Sequence, residues 1–117
     1  MQVVLVSFGV IELEGRRYEH DVVITAGRIS KRDKKPSKPY RGRFGHTPLS
    51  ADEDIPWAGS GLIVGTGASG QLPVMDEVLH EAARRGMSIR VLPTRDACRL
   101  LADVPSDQVN AILHVTC

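Results

Sequence analysis

The residues best suited to bind a ligand lie in a glycine-rich turn, residues 65–70, that directly follows the apolar run Leu62–Val64. Glycine lets the backbone take positive φ angles and approach a ligand closely, and a following helix offers unpaired N–H groups to an anion. The pattern matches the dinucleotide-binding spacing Gly-x-Gly-x-x-Gly in a strand, turn and helix context. The candidate ligand-binding residues of this turn are Gly65, Thr66, Gly67, Ser69 and Gly70.

Three interpretations of this turn stay open. Dinucleotide binding is disfavoured because the next strand ends at Leu92–Thr94 without a carboxylate for the ribose, and the chain provides one mononucleotide-sized half. The glycines could instead serve only close packing of helix against strand, or hold an undefined small anion. Ser69 does not sit in the Gly-x-Ser-x-Gly pattern that presents a hydrolase nucleophile.

Two further residues are candidates for the same cleft. His46 lies in Phe44–Pro48, shortly before the acidic residues 52–54, where it could act as an acid or base or simply form surface hydrogen bonds. Thr94 follows Pro93 at the expected N-cap of a helix, in a loop predicted to face the glycine-rich turn. We therefore add His46 and Thr94 to the candidate ligand-binding residues and assign no catalytic residue.

A basic run with two aromatic residues precedes His46. Such a run could contact nucleic-acid phosphates and stack bases, or form a solvated loop. The formal net charge of +1 argues against a polyanionic partner. The run comprises Arg28, Lys31, Arg32, Lys34, Lys35, Lys38, Arg41 and Arg43, with Tyr40 and Phe44.

Metal-ligand types are present without a metal-binding spacing. His46, Cys98, His114 and Cys117 could in principle ligate zinc, but no pair has a characteristic separation, so we predict no metal and no cofactor. His114 alternates with Ile112 and is expected to point to a polar face or cleft. Two cysteines make no disulfide framework, and no signal or membrane-spanning run is found, so we expect a cytoplasmic protein.

The elements that must position these residues fall into three segments of one predicted domain, residues 1–117. Residues 1–32 predict antiparallel strands: Phe8–Leu13 and Tyr18–Ile24 as a hairpin, then an edge strand over residues 28–32. Residues 33–61 are a Pro- and Gly-rich basic loop, with a short helical turn capped by Ser50.

Residues 62–117 alternate as β-α-β-α-β, with helices over about Leu72–Arg85 and Arg95–Ala102 and a last strand over Asn110–Val115. This alternation is typical of parallel strands with helices packed on the sheet. The prediction is an α/β fold with three layers, in which an N-terminal antiparallel hairpin layer accompanies the parallel half.

Several signatures occur in an order that resembles the Mth-type small domain family of unknown function. They are Tyr18 with Asp21–Ile24, Gly45–Pro48, Leu62–Gly67, Arg90–Thr94 and Ile112–Cys117. That family includes the adipogenesis-associated Mth-domain-containing protein and, more distantly, a mitochondrial complex I assembly factor. The resemblance implies a compact α/β domain with an added β layer, no established catalytic activity, and a common cleft for the glycine-rich turn, the Gly45–His46 loop and Thr94.

Two classes of function follow. The first is a non-enzymatic binding or assembly module that meets a protein partner through a cleft or sheet edge near the glycine-rich turn. The second is a binder of a small anionic metabolite, or an enzyme, that uses Gly65–Gly70 with His46. A monomer or a small homo-oligomer is expected in either case.

Overall fold

The first third of the chain forms five short strands. The computed structural model describes residues 1–117 and shows β1 (Val3–Ser7), β2 (Val10–Leu13), β3 (Arg16–Tyr18), β4 (Val22–Thr25) and β5 (Arg28–Lys31). Strands β1, β2 and β3 make an antiparallel sheet of three strands in that order.

The hairpin turn is where the sequence predicts it, but its second strand is shorter than predicted. Glu14 and Gly15 both have positive φ angles, 48° and 83°, as a tight two-residue hairpin turn requires. The predicted strand Tyr18–Ile24 is wrong as one element, because the chain leaves the first sheet after Tyr18 and enters a second sheet at Val22. Strand β1 was not predicted.

The long connection that follows β5 is ordered. It contains a 3₁₀ helix, Lys35–Tyr40, and α1 (Arg41–Phe44), which ends at Gly45 with φ of 75°. The predicted helical turn near Ile55 is absent, although the Ser50 hydroxyl does accept a hydrogen bond from the Asp52 amide at 3.3 Å.

The second half alternates as predicted. It contains β6 (Gly61–Thr66), α2 (Asp76–Arg84), β7 (Ser88–Leu92), α3 (Thr94–Leu101) and β8 (Ala111–His114), and β6 pairs in parallel with both β7 and β8. The α/β class is confirmed. None of the helices is long and apolar enough to cross a membrane.

The second sheet is mixed and has the order β5-β4-β8-β6-β7. Strand β4 runs antiparallel to β8, with Val23 opposite Ile112, so β4 and β5 extend the main sheet instead of forming a separate layer. The predicted edge position of residues 28–32 is confirmed, because β5 ends the order.

Helix α2 begins four residues later than predicted. The segment before the helix is hydrogen-bonded to Leu49. The Leu49 N–H donates to Pro73 O at 2.8 Å, and the Leu49 oxygen accepts from Met75 N at 3.0 Å. The hydrogen bonds of this short bridge hold residues 73–75 extended, so the helix starts only at Asp76.

Each face of the five-stranded sheet covers its own core. Val22, Ile24 and Leu113 pack with α3 and with the inner face of the three-stranded sheet. Val23, Val64 and Ile112 point the other way and pack with Val78 of α2 and with Leu49 and Ile55 of the long connection. The sheet is thus the middle of three layers.

Candidate functional site

The glycine-rich turn lies at the carboxyl end of the parallel strands, beside the ends of β7 and β8. Gly67 and Gly70 have positive φ angles, 108° and 67°. Gly65 does not need one, but a Cβ there would lie 2.8 Å from the Thr94 hydroxyl and 3.0 Å from Leu113. Gly65 therefore serves close packing, Gly70 serves backbone conformation, and Gly67 serves both, because a Cβ there would lie 2.4 Å from the Cys117 backbone.

The backbone amides of this turn are already paired inside the protein. The Ala68 amide donates to Thr116 O at 2.7 Å, and the Ser69 and Gln71 amides donate to the main-chain oxygen of Cys117 at 3.2 and 2.9 Å. The Gly67 amide donates to the Thr94 hydroxyl at 2.8 Å, and Gly70 donates to Gly67 O at 3.2 Å. The turn thus presents none of these N–H groups to an anion, and the chain occupies the place where a ligand was expected.

Thr94 connects the turn to β8. It is fully buried, and its hydroxyl accepts from Gly67 N and donates to His114 O at 2.6 Å, while its own amide donates to Gly67 O at 3.0 Å. Thr94 is the first residue of α3 and makes no side-chain cap, so its predicted N-cap role is wrong. The reason is that its hydroxyl instead links the turn after β6 to the end of β8.

Of the other predicted residues, Thr66 and Ser69 belong to the glycine-rich turn, whereas His46 does not lie beside them. Thr66 is buried and Ser69 is exposed at the tip of the turn. His46 lies instead in a neighbouring cleft of about 180 Å³, which we call the basic cleft. Its lining residues are Arg32, Lys34, Arg41, His46, Thr47, Gln71, Leu72, His114, Thr116 and Cys117.

The basic cleft carries basic side chains that form no ion pair within the protein. Lys34, Arg41 and His46 are exposed and take part in none of the ion pairs of the protein. No aspartate or glutamate side chain lines the cleft. An arrangement of this kind attracts negatively charged groups.

A buried ionic network lies beneath the cleft and centres on Arg32, whose side chain is 1% exposed. Its guanidinium donates to both oxygens of Glu53, at 2.7 and 2.8 Å, to Asp21 at 2.9 Å and to Pro48 O at 3.1 Å. The Ser37 hydroxyl also donates to Glu53 and accepts from Ser50 at 2.7 Å. The network thereby fastens the basic loop to the sheet.

Asp21, the second carboxylate of the network, is hydrogen-bonded to His114, which lines the cleft. Asp21 accepts from the Val115 amide at 2.9 Å and from His114 Nδ1 at 2.7 Å. His114 Nε2 lies 3.2 Å from the Thr116 hydroxyl. Because an ionised carboxylate can only accept, the Nδ1 atom of His114 donates to Asp21.

Electrostatics keep Asp21 and Arg32 charged. Burial by itself raises the pKa of Asp21, but His114, the Val115 amide and Arg32 outweigh it and hold that pKa below its ordinary value. Burial likewise lowers the pKa of Arg32, and the carboxylates of Glu53 and Asp21 reverse this and raise it. This ion pair is therefore ionised across the neutral pH range.

The order of hydroxyl, imidazole and carboxylate in Thr116, His114 and Asp21 is the one that activates a nucleophile in hydrolases. Acyl transfer also needs free donors for the developing oxyanion. The nearest such donors, the amides of residues 67–71, are already paired. The arrangement therefore positions His114 and Thr116 at the wall of the cleft.

Sequence reasoning missed the network because Arg32 and Glu53 were grouped with their charged neighbours. Arg32 was counted in the basic run, whereas it is 4% exposed and not available to a nucleic acid. Asp21 was noticed only within a family-like motif, whereas His114 was expected at a polar face or cleft and does line the basic cleft. No three His, Cys, Asp or Glu side chains are grouped as metal ligands.

Comparison with known proteins adds a family. The model of a protein family of unknown function, DUF498/DUF598, matches residues 3–114. No curated protein sequence matches the chain.

Solved structures share the fold. A conserved hypothetical protein from Pyrococcus horikoshii OT3 is 29% identical over 100% of both chains, with a TM-score of 0.78. A structure titled MT938 is 24% identical over 95% of this chain and 94% of that one, with a TM-score of 0.63. A Mth938-like domain from Bordetella pertussis is 22% identical, covers 93% of this chain and 82% of that one, and has a TM-score of 0.54.

Proposed function

The chain belongs to the DUF498/DUF598 family of proteins of unknown function, and on that premise we propose that it is a non-enzymatic binding module that takes an acidic group of a partner protein into the basic cleft. The observation that carries this proposal is the convergence of Lys34, Arg41 and His46, all without an ion-pair partner, on a cleft that no carboxylate side chain lines. The fold alone does not specify a function, so the chemistry of the cleft supports the proposal.

The size of the cleft supports recognition of a single group. A volume of about 180 Å³ is smaller than the ~300–1,000 Å³ typical of sites that enclose a whole small molecule. It suits one carboxylate or phosphate with its first neighbours, and it does not suit a dinucleotide. A partner that inserts one acidic side chain would fit this volume.

The buried ionic network around Arg32 supports the same proposal, because it anchors the backbone from which the side chains of the cleft project. Arg32 donates to the oxygen of Pro48, two residues after His46, and to Glu53, and the Ser37 hydroxyl fixes the 3₁₀ helix next to Arg41 to the same Glu53. The cationic side chains therefore project from an anchored backbone, so that less conformational entropy is lost when they bind.

A small anionic metabolite that places only its acidic group in the same cleft is the second candidate, since Lys34 and Arg41 would attract that group equally well. The glycine-rich turn no longer supplies its donors, since the amides of residues 67–71 are paired. Both candidates therefore use the same side chains and differ in what carries the acidic group.

The test is a titration of the isotopically labelled protein, followed by amide NMR, with two probes: a blocked diglutamate peptide and inorganic phosphate. We expect shifts at Thr47, Gln71 and Thr116, and at least about tenfold weaker binding in Arg41→Glu. Arg90→Glu is the matched control, because Arg90 lies exposed on β7, away from the cleft.

The outcomes separate the candidates. Tighter binding of the peptide supports a protein partner, and tighter binding of phosphate supports the metabolite. If neither probe shifts the three cleft amides, or if Arg90→Glu weakens binding as much as Arg41→Glu, the basic cleft is not the binding site.

A further inference from the structure

A second binding surface lies at the free edge of the five-stranded sheet, next to the basic cleft. Strand β5 ends the strand order, so one side of its backbone has no neighbouring strand. A groove of about 670 Å³ runs beside it, between β5 and residues 53–58. We call this surface the edge groove.

The pairing register identifies which backbone groups of β5 are free. Arg32 N donates to Asp21 O at 3.0 Å, and Val23 lies opposite Ser30 and Thr25 opposite Arg28. In an antiparallel pair, hydrogen-bonded and non-hydrogen-bonded positions alternate. The N–H and C=O groups of Arg28, Ser30 and Arg32 therefore face β4, and those of Ile29 and Lys31 point outward from the edge.

The groove defines what the two sides of an added strand would meet. By register, the side chains of Arg28 and Ser30 share a face with those of Val23 and Thr25. Ile29 and Lys31 belong to the opposite face, although both residues also border the groove. The far wall of the groove is formed by buried Ile55 and Pro56 and half-buried Trp57. Alternate side chains of an added strand would thus enter an apolar-walled groove or lie beside Lys31.

The charges beside β5 indicate which kind of strand could add to it. Lys31 lines a shallow surface depression together with Lys34, Lys35 and Lys38, and Asp33 is the only acidic residue in it. On the groove side, exposed Arg28 is balanced by exposed Asp54, so the excess of positive charge lies with the lysines. A second copy of β5 would bring these cations against one another, which disfavours self-pairing, whereas acidic side chains would be attracted.

We infer that the edge groove binds an extended acidic segment of another protein, which adds to β5 as a sixth strand. The outward groups of Ile29 and Lys31 supply its main-chain hydrogen bonds, small apolar side chains enter the groove, and acidic side chains lie beside Lys31 and the following lysines. This mode of recognition combines backbone affinity with side-chain selection. Of the three side chains that define the basic cleft, it uses only Lys34.

The probe that tests this is a short blocked peptide of alternating glutamate and valine, with an alternating lysine and valine peptide as its control. Binding of the acidic peptide is expected to slow amide hydrogen exchange at Ile29 and Lys31. Exchange at Arg28 and Ser30 is expected to stay unchanged, because those amides are already bonded to β4. The basic control peptide is expected not to bind.

Two variants separate backbone from charge. Lys31→Ala removes one cation and is expected to weaken binding about threefold, while Lys31→Pro also removes an outward N–H and is expected to abolish binding. Proline is tolerated at an edge position whose N–H faces solvent. A probe methylated on alternate amide nitrogens gives the same comparison on the unmodified protein, in case Lys31→Pro does not fold.

Arg41→Glu, which tests the basic cleft, is expected to leave peptide protection of Ile29 and Lys31 unchanged, so the two proposals can fail separately. Equal binding of the two peptides, insensitivity to backbone methylation, or displacement of the acidic peptide by a single-stranded oligonucleotide that binds more tightly would each overturn strand addition. The last result would identify a polyanion surface instead.

Discussion

Replacement of Glu53 by glutamine is expected to destabilise the fold strongly, because Glu53 neutralises a guanidinium that solvent cannot reach. The side chains of Arg32 and Glu53 are 1% and 3% exposed. Glu53 accepts two hydrogen bonds from Arg32 and one from Ser37. In Glu53→Gln the amide nitrogen would point at one of these donors, and half of the charge compensation of Arg32 would disappear.

The magnitude follows from the cost of breaking a buried ion pair by removing one partner. That cost is about 3–5 kcal/mol, and Asp21 still compensates Arg32 in part, so we expect a loss of about 3 kcal/mol in the free energy of unfolding. A small domain has about 5–15 kcal/mol in total, so the variant should still fold at room temperature.

The assay is urea unfolding followed by circular dichroism, with the free energy obtained by linear extrapolation. Glu12→Gln is the matched control: Glu12 pairs with Arg17 at 3.3 Å, but these side chains are 35% and 65% exposed, respectively. An exposed pair contributes about 0–1 kcal/mol. If Glu53→Gln loses no more than Glu12→Gln, Arg32 does not hold the basic loop in the way described here.

Three other predictions concern the turn and the network. Gly67→Ala should lower the free energy of unfolding by more than about 3 kcal/mol, because φ is 108° and a Cβ would clash with the Cys117 backbone. Gly9→Ala is the control, since Gly9 has φ of 85° but open space around it, and it should lower that free energy by only about 1 kcal/mol. Equal losses in the two variants would show that the contact with residue 117 is unimportant. Thr94→Val should lower the free energy of unfolding by about 2 kcal/mol, because it leaves Gly67 N and His114 O unpaired. Thr94→Ser keeps the hydroxyl and should largely restore stability. A valine variant as stable as the parent protein would contradict the bridging role of the hydroxyl. Because the pKa of Asp21 is lowered in the folded protein, its stabilising contribution is present above the unfolded-state pKa of about 3.9 and is lost as pH falls through the folded-state pKa. Asp21→Asn should therefore reduce the difference in stability between neutral and acidic pH, and an unchanged pH dependence would rule this out.

Local pattern in the sequence determined the alternating half and the hairpin turn. Apolar periodicity and the glycine-rich turn predict β6, α2, β7, α3 and β8 in order, and Gly15 predicts the hairpin turn, because each signal acts within a few neighbouring residues. The strand pairing of β4 with β8 could not be predicted in this way, since the residues that meet lie far apart in the chain, as Val23 and Ile112 do.

The candidate site depended on tertiary structure to a greater degree. The glycine motif correctly predicts where the chain turns, and yet only the folded chain shows that Thr94 and residues 116–117 occupy the amides of that turn. Likewise, nothing in the composition of the basic run distinguishes Arg32 from Lys31. One is buried against Glu53 and the other lies exposed on an open strand edge, because burial and charge pairing depend on which distant segments pack together.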